Sequence, residues 1–536
     1  MKVYFNGPIV TMEDDHPQAE MLIEDGGKIL FVGDAAEGEA LIAPDAERVD
    51  LAGRTLMPAF IDGHGHFSHT GFFLKTVFLQ SAESYDDIVR LMRDYLDAHQ
   101  GETFKWLVGM GYDHNFLKED AHPTKEVLDR VSTEIPVVAL HASMHMCVAN
   151  SKMLALAGIN RDTPDIPGGV IARDPATGEP TGLLEEMAMH LVLAQLGDFF
   201  ATTPEDLVKA QSLYIENGVL TVQDGASNPE TNALVRGIAD AHKLVCDVVS
   251  YPCLSVGDDL TPAALKKGFE DCLGTYQNHF KIGGYKIVLD GSPQCKTAWL
   301  SEPYTDGENG YPWLTDAQVQ ECVDIALDDG MQLLTHCNGD ASGDQLLDAY
   351  EKSIARFGPD APQHKLRPVM IHCQTARDDQ LDRMAKLGML ASIFVAHVNY
   401  WGDVHKKNLG ETRGAHISPV KAALDRGIVV NFHTDTPVVT PDMLHTVWTA
   451  VNRQTRGGEI LGADQCVSVW DALKAITIGA AYSYFEEDSK GSLAPGKLAD
   501  LVILDKNPLA VDKQAIKDIQ VLASIKEGQT LYEKAV

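Results

Sequence analysis

Short apolar runs alternate with amphipathic stretches over most of the chain. Candidate strands run from Thr55 to Ile61, Val219 to Gln223, Cys246 to Pro252 and Gly283 to Leu289. Four more run from Met331 to Thr335, Arg367 to Ile371, Met389 to Phe394 and Ile428 to Phe432. Patterns of helical period lie between them, for example Asp316 to Asp329 and Asp378 to Leu387. Eight strands with intervening helices predict an α/β fold, a (β/α)8 TIM-like barrel over residues 57–490. The gap between the first two strands is too long for one helix. It predicts an inserted subdomain after strand 1, at about residues 68–217. The chain ends read differently. Lys2 to Asn6, Ala19 to Glu24 and Lys28 to Val32 are β-type runs, as are Leu501 to Leu504 and Ile519 to Ile525. Residues 1–56 and 491–536 are therefore expected to meet in one small sheet domain.

Composition narrows the classes. Of 536 residues, 45% are hydrophobic and 23% charged, a balance that supports a large folded core. Lys and Arg number 44 against 77 Asp and Glu, a net charge of −33. Such a surface repels polyphosphate and anionic lipid, so neither nucleic acid nor membrane is expected as a partner. The most apolar stretch, Leu387 to Trp401, contains Ser392, His397 and Asn399 and is too short and polar to span a bilayer. The nine cysteines form no CxxC pair, and Met1 to Asp15 lacks the apolar run of a signal peptide. Reduced thiols and a cytoplasmic location are the expectation.

Five of the eight strands end in a residue able to ligate metal. The first ends Asp62-Gly-His64-Gly-His66, and a spacing of two on an extended strand turns both imidazoles to one side. The fourth carries Lys286 and Asp290, the fifth ends in His336, the sixth in His372, and the eighth in His433-Thr-Asp435. The C-terminal strand ends of a barrel form its active-site mouth, where these residues would converge. Taken singly, each has an ordinary reading. A histidine pair arises by chance, Asp435 caps a helix, and Lys286 forms a salt bridge with Asp290 or Glu302. Placement at the ends of strands one, four, five, six and eight argues against independent accidents.

The run Pro-Ala-Phe-Ile-Asp-Gly-His64-Gly-His66, with the later His336, His372 and Asp435, resembles the metal-dependent amidohydrolase superfamily. Asn6 to Met12 and Gly491 to Leu504 look like the two halves of its small β-sandwich. Lys286 to Gly291, Thr297-Ala298 and His336-Cys-Asn-Gly339-Asp340 resemble the branch that includes the N-substituted formamide deformylases. Trp106 to Asp113, Pro136-Val-Val, His145 and Asn150-Ser151 look like that branch's inserted segment. The chain departs from the branch at Ile371, Ala341 and Ser143-Met144.

The resemblance implies that His64 and His66 bind a buried metal and that His336 and His372 bind a second. Lys286 would be carboxylated by CO2 and bridge the two. Asp435 would touch the first metal and act as general base and acid. One or two divalent ions are implied, zinc being the first choice for imidazole and carboxylate donors. The reaction implied is hydrolysis of a C–N bond in a small, hydrophobic N-substituted amide, by attack of metal-bound hydroxide. A homodimer is implied by the same likeness. Phe67, Trp299 and Tyr304 are candidate apolar contacts to the substrate, and His145 and His397 candidate polar ones. The same ligands would equally serve an ester, lactone or cyclic amide hydrolase, or a deaminase. A non-catalytic regulatory protein on a hydrolase fold is a further reading. Cys337 and Cys373 follow two of the candidate ligands, but side chains alternate along a strand, so both thiols are expected to face away from a metal.

Overall fold

The run from Thr55 to Ile61 is divided between two sheets in the computed structural model. The structure describes residues 1–534 apart from 102, 143–145, 165, 167–168 and 256–260. Thr55–Pro58 pairs antiparallel with Leu501–Leu504 in a sheet built from both chain ends. Pro58 has no N–H to continue a ladder, and Ala59 N donates sideways to Asp500 O at 2.9 Å. Phe60–Ile61 (β1) then pairs parallel with Val219–Ser227 (β2).

β2 pairs parallel with Asp247–Pro252 (β3), and β3 with Phe280–Ile282. Gly283 follows that last strand at a position with no room for a side chain, since a Cβ there would lie 2.6 Å from the Tyr251 ring. The chain continues as Gly284–Val288 (β4), Gln332–Cys337 (β5), Val369–His372 (β6), Leu390–Ile393 (β7) and Val430–Phe432 (β8). Each of these is parallel to the next. Their near-continuous apolar runs suit strands covered on both faces. Backbone hydrogen bonds join the two parallel sheets at either side, Leu254 N to Lys286 O at 2.8 Å and Gly63 N to Phe432 O at 3.1 Å.

The helices between the strands begin and end where side chains can satisfy backbone groups. Thr315 and Gln318 form a capping box at the start of Asp316–Asp328. Gly388, at φ 63°, stops Asp378–Leu387. The terminal strands bury Tyr4, Leu22 and Ile29 from one end with Leu501 and Ile525 from the other. Under them, buried Asp247 pairs with Lys490 at 2.5 Å and Lys526 at 2.6 Å.

The chain divides into two compact units, Met1–Ser68 with Leu207–Val536, and His69–Asp206. The second ends earlier than the expected residue 217. Helix Pro204–Ile215 is held to the first unit through Gln211, whose Oε1 accepts from Val245 N at 2.6 Å, and through Tyr214 against Phe67. The second unit is built on a six-stranded sheet in the order Gly169–Arg173, Pro180–Glu186, Met146–Ala149, Val137–His141, Leu107–Tyr112, Val77–Phe78. Among the described residues, no helix is long and apolar enough to cross a membrane.

Candidate metal centre

His64 and His66 leave the end of β1 beside β2, and β2 fixes both rings. His64 Nδ1 lies 2.5 Å from Gln223 Oε1, and His66 Nδ1 lies 2.7 Å from Gly225 O. The Gln223 amide is itself oriented, since its Nε2 donates to Gly63 O and Tyr484 Oη, both at 3.0 Å. Each imidazole therefore donates through Nδ1 and presents a lone pair at Nε2, the arrangement that prepares a histidine for metal. Gly225 is required here, because a Cβ would meet His64 Cε1 at 2.6 Å.

Both Nε2 atoms face Asp435. Its Oδ1 is 3.2 Å from His66 Nε2 and 3.5 Å from His64 Nε2. That oxygen is buried and has no hydrogen-bond partner. Buried polar atoms are ordinarily paired, and a carboxylate oxygen facing two imidazole lone pairs is unfavourable unless a cation lies among them. The donor set His64, His66 and Asp435 thus fits a divalent metal. Asp435 (φ 54°) and His372 (φ 71°) both adopt left-handed backbone, a cost that ordered sites often carry. Asp62 ties the two contributing strands, accepting from Thr434 Oγ1 at 2.6 Å and from His64 N at 3.3 Å. Burial pushes the Asp62 carboxyl up to about 7, against those hydrogen bonds.

His372, His336 and Lys286 complete the cluster. The His372 ring centroid is 4.5 Å from that of His336 and 5.6 Å from that of His64. His372 Nδ1 meets His433 Nε2 at 3.2 Å, and His433 Nδ1 meets Ser392 Oγ at 2.9 Å. His336 Nδ1 is 3.4 Å from Asp290 Oδ1. Burial, reinforced by Lys286, pushes His64 well below its usual pKa. Burial and His336 do the same to His372. Both rings are neutral, as ligands must be. Lys286 Nζ is buried 3.2 Å from His64 Nε2. Burial lowers its pKa to about 7, opposed by Asp435 and Cys253. The salt bridge to Asp290 is not formed. Asp290 accepts instead from Trp299 N, Asn338 N and Gly339 N at 2.7–3.0 Å.

The expected substrate contacts fare unevenly. His397 is buried, bonded through Nδ1 to His405 Nε2 at 3.1 Å, with its ring 4.6 Å from Phe394. The Phe394 ring is 5.1 Å from His433. Phe67 is fully buried with its ring 6.0 Å from Tyr214. Tyr304 is core as well, packed with Leu300 and Val398, its hydroxyl donating to Ala298 O at 2.9 Å. Trp299 lines a surface pocket with Asp316, Gln320 and Lys352, none of them in the cluster. His145 lies outside the described residues. Cys337 and Cys373 are buried, and burial pushes Cys373 up to about 12 and Cys337 well above its usual value. Neither is a ready nucleophile.

The pattern of the Amidohydrolase family matches residues 47–532. The chain belongs to that family. This amidohydrolase is 30% identical to Protein LONG AFTER FAR-RED 3 of Arabidopsis thaliana, over 98% of its own length and 91% of the plant protein. It is 28% identical to the N-substituted formamide deformylase of Arthrobacter pascens, over 99% of its own length and 98% of that enzyme. Among solved structures it resembles an uncharacterized metal-dependent hydrolase from Pyrococcus horikoshii OT3. The TM-score is 0.73 and the identity 26%, over 96% of this chain and 99% of that one. The protein is an enzyme, a metal-dependent hydrolase acting on carbon–nitrogen bonds.

Proposed function

We propose that this amidohydrolase cleaves the C–N bond of a small amide with a hydrophobic N-substituent, at the centre formed by His64, His66, Lys286, His336, His372 and Asp435. The observation that carries the reading is the meeting of His64 Nε2, His66 Nε2 and the unpartnered Asp435 Oδ1. A divalent ion held there supplies Lewis acidity and an activated water near neutral pH. Zinc suits the donors. Gln223 and Gly225 O hold the two rings in the ligating tautomer. Asp435 accepts the proton of the attacking water and returns it to the departing nitrogen. Phe394 and Trp401, buried with ring centroids 6.2 Å apart and Phe394 5.1 Å from His433, form the apolar wall beside the centre in this reading. Likeness to a formamide deformylase over nearly the whole chain supports an N-substituted amide as substrate.

His336 and His372 offer two donors, so a second cation needs a third. Carboxylated Lys286 supplies it in this reading. The neutral Nζ lone pair attacks the carbon of CO2, an N–H proton passes to water, and a carbamate anion remains. The two parallel sheets are read as one (β/α)8 barrel, supported by the hydrogen bonds at both of their seams. The terminal sheets are read as a β-sandwich, supported by their shared apolar core.

The test is hydrolysis of N-alkyl and N-benzyl formamides beside the matching formate esters by zinc-loaded protein. Amine release at a higher kcat/KM than alcohol release supports the reading. Ester turnover with no amide turnover overturns it.

A further inference from the structure

The unit His69–Asp206 carries a second cluster of metal-type donors that shares no residue with the first. Leu107–Tyr112 and Val137–His141 are adjacent parallel strands, and Tyr112 lies opposite His141. The chain leaving Tyr112 therefore delivers Asp113 and His114 to the C-terminal ends of these strands, where His141 ends its own. His141 Nε2 is 3.1 Å from His114 Nδ1 and 3.5 Å from Asp113 Oδ1. His114 Nδ1 is 3.8 Å from Asp113 Oδ1.

Those separations match a cation. Donors at about 2.0–2.1 Å from a tetrahedral zinc stand roughly 3.3 Å apart. Two imidazole nitrogens and a carboxylate oxygen are also the donor types that zinc and its neighbours prefer. The surroundings hold the donors in place. Asn115 N and Nδ2 donate to Asp113 Oδ1 at 2.9 and 2.8 Å. His122 stacks on the His114 ring at 4.0 Å and pairs through Nδ1 with Tyr112 Oη at 3.0 Å. Metal-ligating side chains typically have such orienting partners. Asp113 and His141 are buried, while the His114 side chain keeps 27% of its surface exposed, which gives an ion a way in.

We propose that Asp113, His114 and His141 bind a divalent cation of the zinc type within the inserted unit. It would fasten the turn after Tyr112 to the end of strand Val137–His141.

The experiment uses the full chain, stripped of metal, reloaded with zinc chloride and desalted. Crystals of it, measured at the zinc absorption edge, should show an anomalous peak among His114 Nδ1, His141 Nε2 and Asp113. In solution, His141→Gln should hold one zinc equivalent per chain fewer than wild type and keep its hydrolase activity. His114→Gln, changed at the more exposed ligand, should show the same deficit. The anomalous map needs no variant, so it decides even where a variant fails to fold. Zinc at His64 and His66 with none at His141, or a wild-type zinc count in both variants, would leave a hydrogen-bonded His–Asp cluster and overturn the proposal.

Discussion

Gln223 holds His64 across the junction of β1 and β2. Its Oε1 lies 2.5 Å from His64 Nδ1 while its Nε2 donates to the carbonyl of Gly63, the residue before the histidine. One amide thus sets both the position and the tautomer of the His64 imidazole. Replacement by Leu keeps the bulk and removes the acceptor. Gln223→Leu should fold and lose about 10–100-fold in metal affinity. A competition titration against a chromophoric chelator measures this. Unchanged affinity would reduce Gln223 to packing.

Lys286 Nζ is buried 3.2 Å from His64 Nε2. If it carries a bridging carboxylate, Lys286→Ala removes an anion from the centre. Metal content or turnover should fall by at least the roughly 10–100-fold lost on removing a supporting contact. Added formate or acetate should restore part of it. Wild-type activity in the variant would exclude the bridge.

Asp247 makes a stability prediction away from the centre. It is buried between Lys490 and Lys526, and His279 Nδ1 lies 2.8 Å from its other oxygen. Asp500 also pairs with Lys526, and Glu486 with Lys490 and Lys281. Burial alone would raise the Asp247 pKa, but the two ammonium groups hold it well below the usual carboxylate range. A depressed carboxylate stabilises the fold above its unfolded pKa of about 4, and that stability is lost as pH falls through the folded value. Asp247→Asn leaves two buried cations short of charge and should cost about 3–5 kcal/mol. Chemical denaturation at pH 7 and pH 3 tests both statements. The gap between wild type and variant should be large at pH 7 and shrink toward pH 3. A gap independent of pH would contradict the charge argument.

The candidate ligands are legible because each is an unusual residue type within or just after an apolar strand. His64, His66, Lys286, His336, His372 and Asp435 stood out for that reason. Their supports did not stand out. Gln223, Ser392 and Tyr484 are ordinary residues whose roles depend on which strands become neighbours. The division at Ala59 was hidden because one apolar run serves two sheets. Phe67 and Tyr304 are buried in the structure, and an aromatic near a candidate ligand in sequence packs into the core as readily as it lines a cavity. His114 and His141 stand 27 positions apart, and only a parallel pairing inside the inserted unit brings them together.

Asp435 bears most directly on the central claim. Asp435→Asn keeps the shape of the side chain but cannot accept the proton of the attacking water. Loss of a positioned general base costs about 10²–10⁴ in rate. The measurement is kcat on an accepted N-substituted amide as zinc is titrated into metal-free wild type and Asp435→Asn, with melting temperature recorded alongside. Wild-type turnover should rise from near zero with bound zinc, while the variant, folded and loaded, stays at least about a hundredfold lower. Full turnover by metal-free wild type, or a variant within about threefold of it, would contradict metal-dependent hydrolysis at this centre.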